Sequence, residues 1–185
     1  NYLYDKALET GYDLWLRYPE NKNRPLSEKY QQSAQEIIMQ GCSATLLIAR
    51  DELKRGLDSM LRQNTQISST LKQEGNLILG TPSSSSIISG LGWICELQKQ
   101  GDEGYIIRTI YIEGKKATVI ASTGEIGVLY GIFHLLRLIQ TNQLIDTLDI
   151  KEKPLIQRRI LNHWDSLKGT YKSIYSGPPI WKWDE

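Results

Sequence analysis

The sequence predicts an α/β (α+β) two-layer sandwich over residues 1–150, a mixed β-sheet with helices packed on it, and a second segment over residues 151–185. Three observations lead there. Short apolar runs alternate with amphipathic stretches along the chain, the rhythm of strand–helix units. A hairpin signature, Glu113-Gly114, joins two β-rich runs. A long, mostly apolar helix follows that hairpin and supplies the core.

The elements read in order as follows. YDLWLRY (12–18) alternates, with Tyr12, Leu14, Leu16 and Tyr18 to one side and Asp13, Trp15 and Arg17 to the other, as in a half-buried strand. PENKNRPLSE is turn chemistry, and Ser27 is the expected N-cap of a helix over Glu28 to Met39, ended by Gly41. ATLLIA (44–49) reads as a buried strand. It feeds a helix in ARDELKRGLDSMLRQ, with Leu53, Leu57, Met60 and Leu61 on one face. NLILGT (76–81) reads as another buried strand, followed by the polar loop PSSSS. A helix or turn covers 87–98, and GDEG (101–104) breaks it. GYIIRTIYIEG and KKATVIAS are the two hairpin strands.

Ser122-Thr123-Gly124-Glu125 matches the S-x-x-E capping box and opens a helix of about 17 residues. Its one polar stripe holds His134, Arg137 and Gln140, while Gly127 and Gly131 allow a close approach to the sheet. LDIKEKP (148–154) reads as a connector closed by Pro154.

Composition narrows the partners. With 22 Lys+Arg against 21 Asp+Glu, no basic face is implied, which argues against nucleic acid and anionic membranes. The longest apolar runs are too short to span a bilayer. Cys42 and Cys95 belong to no C-x-x-C pair and read as buried free thiols. With the distant His134 and His163 they make a poor zinc framework, so neither metal nor cofactor is expected.

GTPSSSS lacks the G-K-[ST] ending of a phosphate loop and reads as a polar surface loop. His134, on its polar stripe, is explained by solvent exposure or a structural hydrogen bond. ILNHWDSLKG (160–169) is different. His163, Trp164 and Asp165 set a general acid or base, a flat ring and a carboxylate side by side. They follow a strand-like Ile160-Leu161, and the end of a strand is where α/β barrels keep their chemistry. The residues alone fit a working site or a capping cluster equally. Glycoside hydrolysis uses two carboxylates flanking the scissile bond, and after Asp165 the sequence offers Asp184 and Glu185 at its very end.

Taken together, GYDLWLRY, QGCSATLLIARDELKRGL, ILGTP, GDEGYIIRTI, EIGVLYGIFHLLRLIQT, ILNHWDSL and IWKWDE resemble the α-glucuronidases of glycoside hydrolase family 67. That resemblance implies an N-terminal accessory domain over residues 1–150. Residues 151–185 would then be a connector and the first strand and loop of a (β/α)8 barrel, cut short. It also implies removal of glucuronic acid or its 4-O-methyl ether from xylo-oligosaccharides derived from glucuronoxylan, by inversion and without a metal. The family's acid and base carboxylates have no positions in these residues, so the 185-residue piece is expected to be inactive. Trp164 would line the glucuronic acid pocket, with His163 and Asp165 beside it as positioning groups. Ser166 and Lys172-Ser173 depart from the family pattern, which touches sugar specificity.

The alternative reading is a non-catalytic carbohydrate-binding or interaction module, motivated by the aromatic tail. Exposure of Trp164, Trp181 and Trp183 would also favour self-association.

Overall fold

The computed structural model describes residue 13 and residues 16–162. Eleven elements follow one another: α1 (Arg24–Ser33), β1 (Glu36–Met39), α2 (Ala44–Leu61), β2 (Gln66–Ser68), β3 (Asn76–Gly80), α3 (Ser86–Gly90), α4 (Ile94–Gln100), β4 (Tyr105–Ile112), β5 (Lys115–Ala121), α5 (Glu125–Gln140) and β6 (Asp149–Glu152). The strands form one sheet in the order β2-β1-β3-β5-β4-β6. β2, β1, β3 and β5 run parallel, whereas β4 is antiparallel to both β5 and β6. The mixed sheet with helices is the expected class.

Alternation along the central strands sends side chains to two cores. Ile37, Leu77, Leu79, Ile107 and Ile120 meet α2 and α5 on one face. Ile38, Ile78, Ile106 and Val119 meet Ile88 of α3 and Leu97 of α4 on the other. Helices therefore cover both faces, and the expected two layers become three. The third layer is thin, because Gly92 at φ 71° splits the segment read as one helix or turn into two short helices.

The first third of the domain departs most from expectation. Asn23, not Ser27, caps α1, accepting from the Leu26 N–H at 3.4 Å, and Pro25 stands in its first turn. The helix ends at Ser33, and EIIM forms β1 instead of a last helical turn. All four of its residues are buried between β2 and β3, an environment that overrides the helix-forming composition upstream. ATLLIA is not a strand. Ser43 accepts from the Leu46 N–H at 3.2 Å and starts α2 there. Helical spacing then buries Leu46, Ala49 and Leu53 while Ile48 stays 61% exposed. Residues 16–18 form no strand, and Tyr18 sits at φ 45°.

The C-terminal half follows its sequence signals more closely. Glu113 (φ 50°) and Gly114 (φ 77°) both adopt the left-handed backbone that a type I′ hairpin turn requires. The capping box at α5 does not form, however. Gly124 is the N-cap, and the Ser122 hydroxyl donates to the Gly104 carbonyl at 2.5 Å instead. LDIKEKP is more than a connector, since Asp149–Glu152 pairs with β4 as an edge strand, with Arg108 opposite Asp149. Cys42 and Cys95 are exposed, not buried.

The chain divides into two compact units, Asn1–Pro154 and Leu155–Glu185. Of the second, residues 155–162 carry no helix or strand, so the barrel strand expected at Ile160-Leu161 is not formed there. A strand gains its hydrogen bonds only from neighbours, and no strand among the described residues pairs with this stretch. Leu155 and Leu161 are 94% and 90% exposed.

Candidate functional site

His163, Trp164 and Asp165 lie outside the described residues, as do Trp181 and Trp183. The described residues offer three other places where chemistry could gather.

The first is the carboxyl end of the parallel strands. After β1 the chain leaves to one face through α2, and after β3 it leaves to the other through α3. Open α/β sheets bind ligands in the crevice at such a switch point. Here the chain fills its own crevice. The Gln40 Oε1 accepts from the hydroxyls of Ser85 (2.9 Å) and Ser86 (3.2 Å). Ser85 in turn accepts from the Ile88 N–H, so the serine loop is a capping device more than a polar surface. Ser43 donates to the Glu125 carboxylate at 2.6 Å and ties the start of α2 to the start of α5.

The second is a charged cluster on the thin face. Arg108 spans Glu96 of α4 (2.9 Å) and Asp149 of β6 (2.7 Å), with its guanidinium 4.7 Å from the centre of the Trp93 ring. Lys151 reaches the same Glu96 at 2.6 Å. Hydrogen bonds from Arg108 and then Lys151 pull the Glu96 carboxyl down to about 2. That is the reverse of what a general acid needs, which is a carboxyl held protonated. Its role is to fasten α4 and β6 to β4.

His134 is similarly structural. Its Nδ1 lies 2.8 Å from the Tyr105 hydroxyl, fulfilling the expected structural hydrogen bond. Burial first, and Arg137 second, push its pKa down. Among the described residues, no three of the His, Cys, Asp and Glu side chains gather closely enough to hold a metal.

The third is a polar cleft that sequence reasoning missed. It measures about 510 Å³ and is lined by Glu28, Gln31, Gln32 and Gln35 from the α1 side and Gln63 and Asn64 from the turn after α2. A smaller cleft of about 220 Å³ shares Glu28 and Gln31 with it and extends past Arg24 and Arg62. The only trace in the sequence is a run of glutamines, which resembles any solvated helix end.

Comparison with known proteins decides the lineage. Residues 14–135 match the Glycosyl hydrolase family 67 N-terminus, and residues 138–185 match the Glycosyl hydrolase family 67 middle domain. The chain belongs to glycosyl hydrolase family 67. This family 67 chain is 24% identical over 175 residues to a protein named Probable alpha-glucuronidase A from Aspergillus fumigatus. It is 25% identical over 179 residues to the protein of that name from Neosartorya fischeri. Each match covers 94% of this chain and 20% of the relative, so the chain spans one fifth of the length of these relatives. Among solved structures, a family GH115 4-O-methyl-α-glucuronidase with specificity for decorated arabinogalactans is similar at 23% identity and a TM-score of 0.44. That match covers 63% of this chain and 17% of the other.

The family 67 boundary does not coincide with the edge of the fold. The end of α5 and the whole of β6 fall in the stretch that matches the middle domain, yet β6 is hydrogen-bonded into the N-terminal sheet.

Proposed function

We propose that this chain is the N-terminal portion of an α-glucuronidase that removes α-linked glucuronic acid, or its 4-O-methyl ether, from glucuronoxylan-derived oligosaccharides. One observation carries the reading: similarity to two proteins named as α-glucuronidases runs over 94% of the chain, across both family 67 segments. In this reading the six-stranded domain is an accessory unit and the residues after Pro154 open a catalytic barrel. The Trp164 ring lies against the apolar face of the glucuronosyl ring, and His163 and Asp165 orient the sugar's hydroxyls and carboxylate. An inverting hydrolysis needs a carboxylic acid at the leaving oxygen and a carboxylate activating water on the opposite face. These two groups lie outside the 185 residues.

Residues 1–185 on their own are accordingly inactive. The test is release of glucuronic acid from aldouronic acids, measured with the 185-residue chain and with the longest product its gene encodes. Release by the long product alone is expected. Release by the 185 residues, or by neither, would overturn the proposal.

A further inference from the structure

We propose that Glu36 and Asn76 form a buried site for a hard, oxygen-coordinated cation, with Ca²⁺ the ion whose geometry fits best. The site does not depend on the glucuronidase reading.

Alternation places the two residues on one face. Ile38 and Ile78 point into the core of the thin face, so Glu36 and Asn76, two positions earlier in β1 and β3, point the same way. They are also register partners across the β1–β3 pair, which stands their side chains side by side. Glu36 is 8% exposed and Asn76 is fully buried. The Glu36 Oε2 and the Asn76 Oδ1 both lack a hydrogen-bond partner, and Glu36 forms no ion pair among the described residues. Asn76 gains nothing by turning its amide over. Its Nδ2 donates to the Gln73 carbonyl, and the flip would give up that bond.

Two acceptors therefore stand side by side with no donor between them. Buried polar groups are as a rule hydrogen-bonded, and buried charges are paired or bind a metal. A water molecule would supply two donors but leave the charge of the carboxylate unbalanced. A cation satisfies both oxygens and the charge. The donor set is all oxygen, which selects a hard ion over zinc or copper. Neighbouring strands lie about 4.8 Å apart, so one ion at a Ca²⁺–oxygen distance of about 2.4 Å reaches an oxygen from each. Mg²⁺ demands a shorter, near-ideal octahedron, which two side chains on a rigid sheet serve poorly. The Gln73 carbonyl keeps a second lone pair, and the remaining exposure of Glu36 lets water complete the shell. One carboxylate, one amide and water suffice, so the site needs no cluster of acidic side chains. Filled, it would fasten β1 to β3 at their amino ends.

The experiment follows the melting temperature of the 185-residue chain, freed of metal, in CaCl₂, MgCl₂, NaCl and KCl, with choline chloride at matched ionic strength as the blank. Ca²⁺ should raise it saturably, by roughly 5–10 °C at a hundred times Kd. Glu36→Gln should abolish the rise without lowering the metal-free melting temperature, because its new amide N–H can donate to the Asn76 Oδ1. Glu28→Gln, an exposed acid elsewhere, should keep the full response. Asn76→Asp adds a carboxylate and should tighten Ca²⁺ by about tenfold. A rise led by another of the four ions, and lost in Glu36→Gln, would support the site and identify its occupant. No rise above choline, a rise that survives Glu36→Gln, or no tightening in Asn76→Asp would overturn it. Stability that ignores every cation but falls as pH rises, only while Glu36 is present, would put a proton between the oxygens and overturn it too. No hydrolysis is measured, so this result and the glucuronidase assay fail independently.

Discussion

The two faces of the sheet are held by different physics. On the thick face, α2 and α5 press Leu53, Leu57, Leu135 and Leu136 into a continuous apolar core, and Gly56 lets the Leu136 side chain come within 2.6 Å of where a Cβ would stand. On the thin face, α3 and α4 offer mainly Ile88 and Leu97, and an Arg108–Glu96–Asp149–Lys151 network with Trp93 supplements them. Apolar burial neither titrates nor is screened by ions, whereas exposed ion pairs are screened and titrate. One face should therefore behave as a rigid scaffold and the other as a conditional one.

The largest contrast should come from truncating the cores. Leu57→Ala should cost about 3–4 kcal/mol, because a fully enclosed site cannot collapse around the cavity. Leu97→Ala should cost about 2 kcal/mol, since a seven-residue surface helix can settle into the space. Urea denaturation of both variants checks the ranking; equal losses would erase the distinction between the faces.

Next comes Gly131→Ala. The added methyl would stand 2.6 Å from Ile120 Cγ2 and 3.3 Å from the Tyr105 ring, for a loss of about 1–2 kcal/mol by overpacking. Arg108→Ala should cost about 1 kcal/mol through the lost stacking on Trp93 and its side-chain packing, and hydrogen exchange should rise at β6 before it rises at β1.

Smaller still are the pH effects. Glu96 is held at about 2 in the fold against an ordinary value of 4.5, so its contribution is present above that ordinary value and fades as pH falls toward 2. Salt should shrink the same contribution, and Glu96→Gln should flatten the acid limb of a stability–pH curve. His134 acts in the same direction at higher pH. Its folded pKa is lowered, so the unfolded chain takes up the proton first as pH drops below 6.5 and stability declines. His134→Gln should remove that part of the slope and leave the Glu96 limb intact.

The same contrast explains which elements were legible in the sequence. Glu113-Gly114 and the apolar run of α5 are local signals: turn dihedrals and helix periodicity act within a few residues. β1 is the opposite case. EIIM follows helix-forming residues and becomes a strand because β2 and β3 flank it, a fact of tertiary structure. ATLLIA failed for a related reason, since six apolar residues fit a buried strand or a helix start, and the Ser43 cap decided. The polar β6 carries no burial pattern; its register is written in the Arg108–Asp149 pair. The polar cleft joins residues of α1 to the turn after α2, so no single stretch announces it. The His163-Trp164-Asp165 triplet was legible only as a motif.

The most direct test of the glucuronidase account is Trp164→Ala in the longest product of the gene, measured as glucuronic acid released from an aldouronic acid. The account predicts a fall in kcat/KM on the order of 100-fold, as for loss of a group that positions the sugar, with an unchanged melting temperature. Full activity in the variant, or no release by the unaltered protein, would contradict it.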